Sequence, residues 1–92
     1  MAKLYDLIEL NSSYSIKKLI SSDLVNKFAL LSGDKNPIHI SESYARNSIF
    51  GKRVAHGMLI SSFFSKIIGC DFPGEGAILL NTKVSFLKPV YV

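Results

Sequence analysis

The stretch that decides the fold is LSGDKNPIHISE, residues 31–42. It places a carboxylate, Asp34, and an imidazole, His39, five positions apart within a run of turn-forming residues. Gly33 readily adopts a positive φ, while Pro37 fixes its own φ and restricts the residue before it to extended backbone. The stretch therefore cannot continue a preceding helix, and we expect a rigid loop that presents Asp34 and His39.

The residues before this loop have the pattern of a helix. Ser21 and Ser22 are N-cap residue types, and Asp23 in the first turn complements the positive end of the helix dipole. Apolar residues follow at helical spacing, namely Leu24, Val25, Phe28, Ala29 and Leu31. The pattern predicts a helix from Asp23 to Ser32 that ends at Gly33.

Two further helices are predicted after the loop. Ser41 is typical of an N-cap, and the short helix that follows should extend through Tyr44 to Ser48. A second helix from Gly57 to Gly69 carries apolar residues on nearly every side, namely Met58, Leu59, Ile60, Phe63, Phe64, Ile67 and Ile68. A helix that is apolar all round is expected to be buried all round.

Alternation of side chains predicts two strands. Tyr14–Ile20 alternates loosely and predicts a first strand. Ala77–Leu87 alternates over a longer stretch and places Ile78, Leu80, Thr82, Val84 and Phe86 on one face. Lys88 and Pro89 should end this strand.

Composition restricts the class of protein. The chain has 92 residues, which is enough for one domain, and 48% apolar with 20% charged residues indicates a globular protein. The net charge of +4 favours anionic partners, but basic residues are scattered and no DNA-binding pattern occurs, so we expect no nucleic-acid partner.

Membrane and secreted classes are also disfavoured. The most apolar run, Met58–Cys70, is 13 residues long and contains Lys66, which is too short for a membrane span. The N-terminus lacks the apolar core of a signal peptide, because Asp6 and Glu9 interrupt it. Cys70 is the single cysteine, so a reducing, cytoplasmic setting is expected.

Common catalytic motifs are absent from the sequence. The two histidines stand 17 positions apart without an HExxH motif or clustered thiols, so we expect no metal site. There is no GxSxG nucleophile elbow, and the glycines near Gly74 are not followed by the lysine and helix of a phosphate-binding loop.

Three ordered stretches, residues 28–39, 55–59 and 84–90, resemble the MaoC-like, R-specific enoyl-CoA hydratase family. The resemblance implies an α+β hot-dog fold, in which a long antiparallel sheet wraps a central helix, here Gly57–Gly69. It also implies a homodimer that pairs two sheets edge to edge, and a hetero-oligomer is the alternative. We expect one domain over residues 1–92.

The resemblance implies a lyase that reversibly hydrates a trans-2-enoyl thioester, carried on coenzyme A or acyl carrier protein, without a cofactor. It assigns the catalytic dyad to Asp34 and His39, whose residue types can exchange protons with water and with the α carbon. The alternative from residue type alone is that Asp34 only forms a turn and His39 is only a bonded structural histidine. Asn36 is expected to orient the loop or the dyad.

Other site residues are assigned with less direct support. The N–H of Gly57, at the start of the buried helix, is the candidate oxyanion donor. The family's supporting serine falls on Ser65, with Ser62 as the second choice, although buried serines commonly bond to helix carbonyls. Three residues are candidates either for substrate binding or for a structural or solvated role, namely His56, Lys52 and Arg53.

The family pattern continues beyond Val92, so the sheet around the central helix is expected to be incomplete at its C-terminal side. We expect a truncated hydratase domain. The two alternatives are strands supplied by a partner and a degenerate remnant. A different function fits those alternatives, namely a non-catalytic hot-dog module that binds acyl thioesters or pairs with an active subunit.

Overall fold

The structure, a computed structural model, describes residues 12–92. In these residues the chain forms α1 (Ser22–Ser32), α2 (Pro37–Ile40), α3 (Glu42–Arg46) and α4 (Gly57–Lys66), and α4 leads into a π-helical segment, Ile67–Asp71. None of these helices has the length and apolar character needed to cross a membrane. The interpretation of the N-terminus falls on residues 1–11 and lies outside the described part.

The chain divides into two compact units. The first, unit A, comprises Lys18–Ile60 and Ser85–Val92. The second, unit B, comprises residues 12–17 and 61–84 of the described part. The candidate dyad lies entirely in unit A.

Helix α1 forms as predicted, one residue longer at its start. The Ser21 hydroxyl accepts a hydrogen bond from the Leu24 N–H at 3.2 Å and so caps the helix. Gly33 ends it in the left-handed conformation, φ 80°, and its N–H donates to the Ala29 carbonyl at 2.9 Å. Ala29 and Val25 face the core and are almost completely buried.

The predicted loop between Gly33 and Ser41 is only partly correct, because His39 lies on a short helix, α2. Pro37 occupies the first helical position, where its missing N–H costs nothing, and the Asn36 side chain accepts from the Ile38 N–H at 3.3 Å. Helix α2 packs against α1 and against α3. It is thus held from both sides.

Ser41 caps α3, as the sequence predicts. Its hydroxyl accepts from the Tyr44 N–H at 3.2 Å, while its own N–H donates to the Pro37 carbonyl at the end of α2. The helix starts at Glu42 and ends at Arg46, two residues before the predicted end at Ser48.

A run of four buried residues, Arg53–His56, belongs to unit A. We call it the buried segment; the exposed fractions of its residues are between 2% and 8%. Its backbone bonds to the Ile38 carbonyl on one side and to residues 90–92 on the other. An isolated antiparallel bridge joins Val54 to Tyr91.

The two predicted strands are not present among residues 12–92. Tyr14–Ile20 and Ala77–Leu87 have no ladder of hydrogen bonds, and the Val54–Tyr91 bridge is the extent of strand pairing in the described chain. A strand needs a neighbour to accept its backbone hydrogen bonds, and alternation of side chains alone does not supply one.

The prediction that α4 is buried on every side is wrong for this structure. Leu59 is buried, at 3% exposed, but Met58 is 64% exposed and Phe64 is 58% exposed. The reason is the one given for the strands: no sheet forms among the described residues to cover this helix. In unit B, the ring of Tyr14 stacks on that of Phe72 with centroids 5.9 Å apart.

Candidate active site

The Asp34 carboxylate is held by the loop that follows α1. The Asp34 N–H donates to the Ser32 hydroxyl at 3.1 Å, and that hydroxyl donates in turn to the Phe28 carbonyl at 2.7 Å. Oδ1 of Asp34 accepts from the Asn36 N–H at 3.2 Å. One carboxylate oxygen therefore fixes the turn, and Oδ2 is left for other partners on a side chain that is 52% exposed.

His39 is held more firmly, and its bonds determine its tautomer. Nδ1 lies 2.8 Å from the Val54 carbonyl oxygen, which can only accept, so Nδ1 carries the proton. In the neutral ring Nε2 then carries the free lone pair. Nε2 lies 4.0 Å from Oδ2 of Asp34, and the side chain is 13% exposed.

The separation of 4.0 Å between Nε2 and Oδ2 is too long for a direct hydrogen bond. It suits a water molecule that donates to both atoms, since two hydrogen bonds of about 2.8 Å span this distance at an angle of about 90°. The pair is thus arranged as two acceptors around one small polar molecule.

His56 supports the backbone of Asp34 from the buried segment. It is 2% exposed, and its Nε2–H donates to the Asp34 carbonyl at 2.9 Å. Its ring stacks on that of His39 with centroids 3.9 Å apart and meets the ring of Phe28 edge-on at 4.9 Å. Nδ1 of His56 is buried and has no partner among the described residues.

The fold brings Asp34, His39 and His56 together, with one ligand-type atom of each within 4.8 Å of the others. The separation of the two histidines by 17 positions in the sequence therefore does not argue against a metal site. The stacking of their rings is a stronger argument against one. Lone pairs lie in the ring planes, and two rings stacked at an interplanar angle of 27° cannot aim them at one ion about 2.0–2.1 Å away. This geometry favours proton transfer over metal binding, and the absence of a metal site stays a prediction.

Gly57 begins α4 directly after the buried segment. Its φ is outside the left-handed region, so space rather than backbone conformation accounts for the glycine. A Cβ at this position would lie 2.8 Å from Cε1 of Phe86. Within residues 12–92 nothing accepts a hydrogen bond from the Gly57 N–H, as is usual in the first turn of a helix.

Arg53 and Lys52, both candidates for substrate binding, differ in their surroundings. Arg53 is 7% exposed and donates to the His39 carbonyl, the Ser22 hydroxyl and the Asn26 amide oxygen. Lys52 is exposed, and its Nζ lies 4.5 Å from the centre of the Tyr91 ring. Both border an open cleft of about 500 Å³.

Asn36 serves the loop twice, through its side chain at the start of α2 and through its N–H to Asp34. Ser65 and Ser62 lie on the part of α4 that belongs to unit B, so their predicted support of Asp34 stays a prediction. The sequence analysis did not identify the Val54 carbonyl, which sets the His39 tautomer. Every residue has a carbonyl group, so no sequence signal marks this one.

Comparison with known proteins gives consistent matches. A profile of the MaoC like domain matches residues 8–92. The chain is 41% identical over 88 residues to the (R)-specific enoyl-CoA hydratase of Rhodospirillum rubrum, covering 96% of this chain and 61% of that protein. It is 38% identical over 88 residues to the 3-hydroxybutyryl-CoA dehydratase of Methylorubrum extorquens, covering 96% and 56%.

Solved structures agree with these sequence matches. The unliganded R-hydratase of Pseudomonas aeruginosa superimposes with a TM-score of 0.91 at 34% identity, covering 96% of this chain and 57% of that one. This similarity supports the predicted fold family. The chain spans 61% and 56% of the length of the two curated relatives named above.

Proposed function

The chain belongs to the MaoC-like domain family, and from that membership we propose that it adds water reversibly to a trans-2-enoyl thioester, giving the (R)-3-hydroxyacyl thioester. The observation that carries the proposal is the pair formed by Asp34 and His39. Their free acceptor atoms, Oδ2 and Nε2, lie 4.0 Å apart, which is the spacing that holds one water molecule between them.

The water would donate one O–H to each acceptor, which leaves its lone pairs directed away from the pair and toward the β carbon of the substrate. His39 is the better base, since an imidazole is intrinsically more basic than a carboxylate. Its Nδ1–H already donates to the Val54 carbonyl, so the imidazolium formed at Nε2 keeps a bonded partner.

The proton balance closes without any further group. His39 takes one proton from water while hydroxide adds to the β carbon, and the same proton is then delivered to the α carbon. Asp34 keeps the water oriented throughout and stabilises the positive charge that develops on His39. Dehydration follows the same steps in reverse.

Negative charge develops on the thioester oxygen during this addition. We assign its stabilisation to the N–H of Gly57, because the first N–H groups of a helix lack intrahelical partners and the helix dipole favours an anion there.

The substrate class follows from the chemistry, since a thioester activates the double bond without a cofactor. Coenzyme A and acyl carrier protein present the same phosphopantetheine thioester, and Lys52, an exposed cation beside the cleft, is a candidate for binding a carrier phosphate. The proposal includes the hot-dog sheet around α4, a homodimer or hetero-oligomer, and a cytoplasmic setting.

The test is the loss of conjugated enoyl-thioester absorbance when crotonyl-CoA is added to the purified protein. We expect hydration by the parent, and rates lower by about 100-fold or more in Asp34→Asn and His39→Gln, as is typical when an acid–base group is removed. A fully active His39→Gln variant would disprove the dyad. An inactive parent that still binds the thioester would favour a binding module instead.

A further inference from the structure

We propose that Arg53 is a positioning residue that holds His39 in its reactive orientation, and that it does not bind substrate. The inference rests on the proposed function, because it assigns Arg53 a role through His39. Its observational basis is separate: the set of hydrogen bonds that joins Arg53 to α1 and α2.

Arg53 is a buried cation with only neutral partners. Its Nε donates to the His39 carbonyl at 2.6 Å, Nη1 to the Ser22 hydroxyl at 2.7 Å and Nη2 to the Asn26 amide oxygen at 2.8 Å. No carboxylate of residues 12–92 lies within 4.0 Å of it. Burying a charge is costly unless it is well bonded, so this arrangement persists because three oriented dipoles replace water around the guanidinium.

The bonds join two helices that have no covalent connection near the site other than the Asp34 loop. Ser22 and Asn26 lie on α1, and His39 lies on α2. Helix α2 has four residues, which is too short to be stable by itself. Arg53 therefore fixes the position of α2 relative to α1.

The next residue fixes the ring itself. The Val54 carbonyl accepts from Nδ1 of His39, while Arg53 holds the carbonyl of the same histidine. Of these two adjacent residues, Arg53 thus bonds to the backbone of His39 and Val54 bonds to its side chain. If the backbone bond is lost, α2 can shift, and the Nδ1–H bond that sets the tautomer is then lost as well.

Lysine cannot replace arginine in this role. The guanidinium is planar and presents donors in several fixed directions, whereas the ammonium group is a compact charge at the end of a flexible chain. Arg53→Lys keeps the charge but can satisfy few of the three acceptors at once. This variant therefore separates the effect of the hydrogen-bond geometry of the guanidinium from the effect of its positive charge.

The experiment compares Arg53→Met and Arg53→Lys with the parent in the crotonyl-CoA assay. We expect kcat to fall by about 10- to 100-fold in both, as for loss of a hydrogen bond to a charged group, with KM within about twofold. The control is Lys27→Met, which removes an exposed charge from α1 at a position that does not line the cleft. It should retain the parental kcat.

A second readout does not depend on turnover. Imidazole ¹⁵N chemical shifts report which nitrogen of His39 is protonated, and the parent should show the Nδ1–H form. In both Arg53 variants we expect a mixture of tautomers. Asn26→Ala and Ser22→Ala, which leave Arg53 in place, should shift the mixture less, and they remain informative if Arg53→Met does not fold.

Two results would overturn the inference. One is a raised KM with an unchanged kcat in Arg53→Lys, which would mean that Arg53 contacts the substrate. The other is an unchanged His39 tautomer in both Arg53 variants. Failure of the proposed function can be distinguished from both results, because the parent protein would then be inactive. The ¹⁵N measurement on His39 would still test the role of Arg53 in that case.

Discussion

Adding a single methyl group at Gly57 tests the proposed oxyanion donor. In Gly57→Ala the new Cβ would lie 2.8 Å from Cε1 and 2.9 Å from Cδ1 and Cζ of Phe86. Carbon atoms prefer separations of about 3.5–4.0 Å, so the ring has to move by roughly 0.7–1.2 Å. Overpacking of this kind costs about 1–3 kcal/mol. Phe86 is 57% exposed and can rotate outward, which places the cost near the lower limit.

A gain in helix propensity opposes that cost. Alanine is better than glycine by up to about 1 kcal/mol inside a helix, and Gly57 needs no positive φ that alanine would resist. The free energy of unfolding should therefore change by no more than about 1 kcal/mol, which corresponds to a Tm shift of at most about 4–8 °C. We expect catalysis to change far more, because the added methyl group narrows the space beside the backbone of Gly57 that a thioester oxygen would have to enter. Loss of an oxyanion donor lowers kcat by about 10²–10³, and we expect at least a tenfold fall.

The assay combines urea denaturation with the crotonyl-CoA rate in a double-mutant cycle that includes Phe86→Leu. The smaller side chain should relieve the clash and restore stability to Gly57→Ala, while the rate stays low. The control is Gly69→Ala, since a Cβ at Gly69 meets no atom within 4 Å. The reasoning fails if the rate recovers in the double variant, because displacement of Phe86 would then explain the loss, or if Gly57→Ala is as active as the parent.

Three further predictions concern stability. Ser21→Ala removes the cap of α1 and should lower the free energy of unfolding by about 1 kcal/mol, whereas an unchanged denaturation midpoint would mean that the capping bond contributes nothing. Gly33→Ala should cost about 1–2 kcal/mol through its φ of 80° alone, since a Cβ there meets no atom within 4 Å; Gly33→Asn should recover part of the loss. The hydrogen bond to Asp71 raises the pKa of Lys66, so the pair stabilises the protein below the unfolded-state pKa of about 10.4 and this contribution is lost as the pH rises through the folded-state pKa. In urea denaturation, Asp71→Asn should therefore have a lower free energy of unfolding than the parent near about pH 8, and the difference should be smaller near about pH 11. An equal difference at both pH values would contradict this assignment.

Local signals in the sequence were sufficient to predict α1 and the start of α3. Ser21, Gly33 and Ser41 act on backbone groups within four residues, so their effect can be recognised without knowledge of the fold. Pro37 was misinterpreted for a related reason. It prevents α1 from continuing, but it also occupies a favourable first position in a new helix, and these two effects look alike in the sequence.

The strands could not be predicted in the same way. Ala77–Leu87 has the alternation of a strand, but a strand forms only when a neighbour supplies hydrogen-bond partners, and alternation contains no information about that neighbour. The same missing partner explains the exposed apolar side chains of α4. The apolar pattern of a helix predicts which face should be buried, but it does not identify the element that packs on that face.

The sequence analysis named Arg53 and His56 as candidates but did not predict that residues 53–56 form a buried segment, and this segment is the element on which the dyad most depends. Arg53 holds the backbone of His39, Val54 holds its ring, and His56 holds the backbone of Asp34. These three bonds span 14, 15 and 22 positions in the chain. One four-residue segment therefore positions both members of the dyad relative to each other.

This arrangement predicts how errors in the segment propagate. The two dyad residues are only five positions apart, but Asp34 is in a turn and His39 is on a helix, so the intervening backbone does not fix the separation of Oδ2 and Nε2. The buried segment fixes this separation, because both dyad residues are bonded to the segment and residues 90–92 are bonded to its other side. A substitution that displaces the segment should alter the spacing of the two acceptors, and hence water positioning, without touching either catalytic side chain.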